Sequence, residues 1–215
     1  MVPVVPGPAA VASAPRVAPT PPGWAQSQLG HLDELLVEQA HLEKKAAAAA
    51  VSFLFRIGGP LDDHRALSAL AREELVHFER TLRLLGQRGI PFGPQASSGY
   101  AEALKAGIGG KLPERLADEL LVAAIIEARS CERMGLLAAA LRPVDAELAD
   151  FYAELVLAEA RHGRDYVDLA QRLLPAAQVE ARCGALLLHE ARVLASLPWS
   201  ARLHGGLPQG AELGG

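Results

Sequence analysis

Residues 68–78, Ser-Ala-Leu-Ala-Arg-Glu-Glu-Leu-Val-His-Phe, place a carboxylate and an imidazole where a helix should carry aliphatic side chains. Leu67, Leu70 and Phe78 recur at helical spacing, and Glu74, His77 and Thr81 fall on the same stripe. Glu74 and His77 are three residues apart, so on a helix they neighbour each other and can reach one ion. Burying such groups is costly unless they are paired or coordinate a metal. A single Glu-x-x-His is weak evidence, but a second copy follows at Glu159-Ala-Arg-His162, again on an apolar stripe of Leu148, Leu155, Tyr166 and Leu173.

Each copy is preceded by a helical segment with one inward glutamate. Glu43 lies on the stripe of Leu32, Leu36, Gln39, Ala46, Ala50 and Leu54; Glu127 lies on that of Leu120, Ala124, Cys131, Met134 and Leu141. Glu43 and Glu74 are 31 residues apart and Glu127 and Glu159 are 32, so one half repeats the other with a shift of 84 or 85. The chain therefore reads as a duplicated two-helix unit, each half giving Glu and Glu-x-x-His. Four carboxylates and two imidazoles form the ligand set of di-iron or di-manganese carboxylate bundles. Oxygen and imidazole donors without thiolate suit iron or manganese. The competing readings are a buried ion-pair network, or surface residues on a helix turned the other way.

Working outward, the apolar period is helical almost throughout. Five long segments are predicted: about 28–56, ended by Gly58-Gly59-Pro60; 62 to 86 or 89; 113 to before Pro143; 145–174; and 176–196, followed by a Pro/Gly-rich tail. A short helix is predicted over 100–106. The fold class is all-α: a ferritin-like four-helix bundle with a long crossover connection and an additional C-terminal helix. Half of the 215 residues are hydrophobic but only 5% are aromatic, so the core must be aliphatic, a composition that favours helix. Seven of the 15 prolines fall within the first 22 residues, which excludes a helical leader there. Residues 1–22 are predicted to be a disordered Pro/Ala-rich tail that can be deleted without loss, and residues 23–208 the bundle domain. No apolar run is long enough to span a membrane, and cytoplasmic location is the expectation.

Two cysteines, Cys131 and Cys183, exclude a rubredoxin site or a zinc ribbon. Gly107-Ile-Gly-Gly-Lys111 lacks the spacing of a phosphate-binding loop, and no dinucleotide fingerprint follows a strand. Electrons for any redox chemistry must come from an external donor. Glu38 and Glu132 sit five residues from the proposed ligands, about 140° around the helix, and are expected to be solvated or to lie behind the ligands. Glu73 is placed to support a ligand from behind, and Tyr166 is read as a packed core tyrosine.

His41-Leu-Glu43-Lys-Lys-Ala-Ala, Arg72-Glu-Glu74-Leu-Val-His77-Phe-Glu, Ile126-Glu127-Ala-Arg-Ser-Cys-Glu-Arg133, Glu159-Ala-Arg-His162 and the closing Arg202-Leu-His204-Gly-Gly-Leu-Pro208 resemble the MiaE-type tRNA hydroxylases over roughly residues 24–208. The resemblance implies a dioxygen-dependent non-haem di-iron monooxygenase that hydroxylates the isopentenyl side chain of 2-methylthio-isopentenyladenosine in tRNA. It implies two iron ions held by Glu43, Glu74, His77, Glu127, Glu159 and His162, with Glu74 and Glu159 bridging and dioxygen as co-substrate. The electron donor would be ferredoxin-like or a reductase. The partner would be tRNA, met by a local basic face despite the net charge of -4; Arg80, Arg83, Arg88, Lys105, Lys111 and Arg115 are the candidates. The rival classes are a ferritin-like iron store and a rubrerythrin-like peroxide reductase.

Overall fold

The computed structural model describes residues 14–21, 23–208 and 210. They form α1 (Trp24–Gln28), which runs through a 3-10 turn (Leu29–His31) into α2 (Leu32–Leu54). Next come α3 (Leu61–Gln87), the short α4 (Tyr100–Lys105), α5 (Glu114–Leu141), α6 (Ala146–Leu173) and α7 (Ala176–Ser196). Among the described residues the only bridge is an isolated one between Trp199 and Gly206.

The breakers act where local chemistry requires. Gly59 takes φ 122° in the turn between α2 and α3, a conformation that disfavours any side chain. α3 ends with Gly89 at φ 67°, and the Ile90 N–H reaches back to the Leu85 carbonyl at 2.9 Å, closing a Schellman-type cap. Asp145 caps α6 by accepting from the Leu148 N–H at 3.0 Å.

The apolar residues sort into two clusters. Phe53, Leu67, Leu70, Leu120, Ile125, Tyr166 and Ala170 fill one end of the bundle. Leu36, Leu84, Met134, Leu137, Leu148, Tyr152 and Leu155 fill the other. α2 and α6 run from the second cluster to the first, and α3 and α5 run from the first to the second. Both hairpins are therefore antiparallel, and the 88–113 connection must travel the length of the bundle between α3 and α5. This is the predicted crossover. The six polar residues of the repeat occupy the band between the clusters.

One terminal expectation needs correction. Residues 14–21 are not a detached tail: Thr20 is buried, its backbone N–H and its hydroxyl each donate to Glu132 at 2.7 Å, and Val17 packs on the core. The fully buried Arg129, one helical turn before Glu132, donates to the Thr20 hydroxyl at 3.0 Å, so this segment completes a charged network that composition alone does not display. Residues 1–13 and 22 of the predicted tail lie outside the described residues. The Pro/Gly-rich stretch after α7, within the expected 23–208 domain, is docked on the bundle. Ala201, Leu203 and His204 are buried, and Arg133 donates to the carbonyls of Leu203 and Gly205 at 2.7 Å each. Gly206 lies against the Leu197 carbonyl so closely that no Cβ fits.

Candidate metal centre

Four helices each deliver a carboxylate to the polar band, and α3 and α6 add an imidazole one turn on. Glu43, Glu74, His77, Glu127, Glu159 and His162 are all buried. Ligand atoms of Glu43, Glu74 and His77 lie within 4.8 Å of one another, as do those of Glu74, Glu159 and His162. Glu74 belongs to both groups: one oxygen is 2.8 Å from His162 Nδ1, and the other is 3.5 Å from His77 Nδ1. His77 Nδ1 is also 3.6 Å from Glu43. Glu127 stands outside both triads but lies beside the Glu159 carboxyl, whose charge helps to raise it.

Both oxygens of Glu74, Oε2 of Glu159, and Nδ1 of His77 and of His162 are buried without a well-formed hydrogen bond. Buried polar atoms are nearly always satisfied, and these five orphans point into one space. The donor set is oxygen and imidazole, so the residues fit a pair of first-row divalent ions.

Without metal the cluster shares protons. Burial pushes the Glu43 and Glu127 carboxyls well above the usual range, and the neighbouring Glu159 charge adds to this in both. Burial would also raise Glu74, but the adjacent imidazoles of His162 and His77 outweigh it and hold the group at about 2. The imidazoles go the other way. Burial disfavours their charge, yet their carboxylate partners raise His77 to about 9 and His162 to about 11.

A cavity of about 820 Å³ opens from the carboxylate side of this cluster. Glu43, Glu127, Glu159 and Tyr166 form its floor; neither His77 nor His162 lines it. Ala46, Ala49, Phe53, Val122, Ala123, Ile126 and Met134 give much of the wall. Lys45, Arg56, Lys105 and Arg115 lie towards the mouth beside residues 95–98. Arg56 and Arg115 share Glu119, whereas Lys45 and Lys105 are exposed.

The flanking residues divide. Glu132 points away from the cluster, bonded to Thr20 and to Arg129 at 3.0 Å. Glu38 is not solvated: it is buried, lines the cavity and accepts from the Leu203 N–H, and burial raises it to about 7. Tyr166 is buried as expected, but its hydroxyl has no partner and the ring lines the cavity. Of the predicted basic face, Arg80 is paired with Glu154, and Arg88 with Asp145 and Glu147. Lys105 and Arg115 are at the cavity mouth instead.

Sequence reasoning did not find the Ser130–His204 pair on the cavity wall, joined at 3.0 Å, with His204 stacked on Tyr100 at 4.8 Å. Burial and the nearby Arg133 and Arg129 keep that imidazole neutral, at about 3. The signal was the His-Gly-Gly run, in which glycine permits the tight approach that seats His204. Gln39, on the α2 stripe, donates to Glu43 at 2.6 Å.

Comparison with known proteins identifies the family. The family described as tRNA-(MS2IO6A)-hydroxylase (MiaE) matches residues 13–205, a span that takes in the docked Thr20 segment. The chain is 40% identical over 193 residues to tRNA 2-(methylsulfanyl)-N(6)-isopentenyladenosine(37) hydroxylase of Pseudomonas putida, covering 89% of this chain and 92% of the relative. The Salmonella typhimurium protein of the same name is 38% identical over 140 residues, 65% of this chain and 50% of that one. Among solved structures, "Protein 43 with aldehyde deformylating oxygenase activity from Synechococcus" superposes with a TM-score of 0.82 at 38% identity, covering 91% of this chain and 98% of that one. With a match that runs from before the first helix to the docked C-terminal segment, the chain belongs to the MiaE family of tRNA hydroxylases.

Proposed function

We propose that this protein hydroxylates the isopentenyl side chain of 2-methylthio-isopentenyladenosine in tRNA, using two iron ions held by Glu43, Glu74, His77, Glu127, Glu159 and His162. The observation that carries the reading is the cavity: it joins the carboxylate face of the cluster to an exposed mouth with lysine and arginine at its rim. Its volume suits one base with its substituent and not a folded RNA, so the modified adenosine must be splayed out of the anticodon loop to enter.

When bound, the iron pair supplies the reduction of dioxygen and the transfer of one oxygen atom into a C–H bond. The chain's own residues supply the rest. Glu74, with one oxygen towards each histidine, would be shared between the two metal positions; Glu159 would be the second shared carboxylate, and Glu43 and Glu127 would each serve one position. Glu43 and Glu127 face the cavity, so the reacting carbon arrives on the carboxylate side while the imidazoles hold the far side. The aliphatic wall excludes water and accepts the prenyl chain. Lys45 and Lys105 are positioned to meet phosphates outside. The reading takes its electrons from an external reductant such as a ferredoxin, and a tRNA substrate supports a cytoplasmic location.

The test is to incubate anaerobically reconstituted protein with methylthio-isopentenylated tRNA, a reductant and isotopically labelled dioxygen, and then to analyse the nucleosides. One labelled oxygen in the prenyl group is expected. No conversion of tRNA, with turnover of an aldehyde instead, would move the protein to the aldehyde deformylating oxygenase activity named for the Synechococcus protein. Accumulation of many irons per chain without turnover would favour storage.

A further inference from the structure

The duplicated halves are not equivalent behind the metal ligands. His162 presents Nδ1 to the cluster and turns Nε2 outward, where it meets the Glu73 carboxylate at 3.1 Å. The other Glu73 oxygen pairs with Arg161, so the carboxylate is held from both sides between α3 and α6. The repeat maps Glu73 onto Ala158 and Arg161 onto Val76. Behind His77 the counterpart of the carboxylate is therefore a methyl group, and the counterpart of the guanidinium is an exposed valine. One half of the bundle keeps a carboxylate–imidazole pair, and the other has lost it or never had it.

We propose that Glu73 is a positioning residue that makes the two metal positions unequal, so that the ion at Glu74, Glu159 and His162 binds first and more tightly than the ion at Glu43, Glu74 and His77. The inference rests on the metal-centre reading above and deepens it. A carboxylate accepting the outward N–H of a ligating imidazole fixes its tautomer and ring orientation. It also makes the inward nitrogen a stronger donor. Among the described residues His162 has this support and His77 does not, although each imidazole faces two carboxylates of the cluster. Arg161 acts on Glu73 alone and reaches no ligand atom.

The experiment is anaerobic calorimetric titration of the metal-free full-length protein with ferrous ion, repeated with manganous ion. Wild type is expected to show two resolved constants. Glu73→Ala should weaken the tighter one about 10- to 100-fold and leave the other in place, the range found when outer-shell partners of metal ligands are removed. His162→Ala should abolish the tighter constant, and His77→Ala the weaker. Arg161→Ala breaks the helix-to-helix ion pair but keeps the Glu73–His162 bond, and should leave both constants unchanged. Equal constants in the wild type, an equal loss at both positions in Glu73→Ala, or an equally large effect of Arg161→Ala would each overturn the proposal. Those results would leave the metal-centre reading standing, whereas a wild-type protein that takes up no metal would remove both. Melting of each metal-free variant, compared with wild type, separates a folding defect from a ligand effect.

Discussion

Thr20→Val isolates the contribution of the docked N-terminal segment. Valine keeps the shape of threonine and the backbone N–H to Glu132 survives, so only the hydroxyl is lost. That hydroxyl donates to Glu132 at 2.7 Å and accepts from Arg129 at 3.0 Å and from Arg133 at 3.3 Å. Hydrogen bonds to charged partners contribute about 1.5–3 kcal/mol. The guanidiniums are not left bare: Arg129 keeps Glu132 and a two-pronged bond to Glu190 at 2.8 and 3.0 Å, and Arg133 keeps two carbonyls. The loss should therefore stay near one charged hydrogen bond, about 1.5–3 kcal/mol. For a chain of this size that lowers Tm by about 3–12 °C. Deleting residues 2–20 should cost at least as much, since Val17 also leaves the core. Thermal melting of metal-free protein, followed by circular dichroism, reads the effect directly. An unchanged Tm in both variants would mean that the segment does not dock and that the predicted dispensable tail extends to residue 21.

Glu127→Ala should lose metal and activity, while Glu132→Ala should keep its metal, because only Glu127 faces Glu159; metal analysis of the two purified variants checks this, and the reverse pattern would refute the repeat register. In the metal-free protein, His77 and His162 have folded pKa values of about 9 and about 11, above the unfolded value near 6.5. The stability they contribute is fully present below that unfolded value and is lost as pH rises through about 9 and then about 11; the raised Glu43 and Glu127 act in the same direction. The Tm of metal-free protein should fall between neutral pH and about 10, and that of the loaded protein should fall less; a flat metal-free profile would contradict the shared-proton cluster. Gly206→Ala should cost about 3 kcal/mol or more in denaturant unfolding, because its Cβ meets the Leu197 carbonyl and displaces the segment that satisfies Arg133.

What the sequence displayed and what it hid follow from range. The helices, their breakers and the crossover were legible because they rest on local periodicity and on glycine and proline chemistry. Glu43, Glu74, His77, Glu127, Glu159 and His162 stood out because a charge on an apolar stripe conflicts with its surroundings, and the repeat fixed their register. The structure brings these six residues into one buried band. The burial of Thr20 and of His204 was invisible for the opposite reason. Each is short, polar and set among prolines or glycines, and each is buried only through partners more than 70 residues away. The pairing within the predicted basic face was hidden because a charge's partner cannot be read from its neighbours: Arg88 looks free in sequence and meets Asp145 across a helix pair. Glu38 shows the same limit, since its angle around α2 left solvent and a place behind the ligands both open, and it is the returning C-terminal segment that covers it.

The central claim is that six buried side chains on four helices hold two metal ions. Its most direct test is metal analysis of full-length protein reconstituted with ferrous ion under anaerobic conditions and freed of loose ion. The account predicts close to two iron equivalents per chain, falling well below two when Glu74, shared by both triads, is replaced by alanine. A content near zero in the wild type, or an undiminished content in Glu74→Ala, would contradict it.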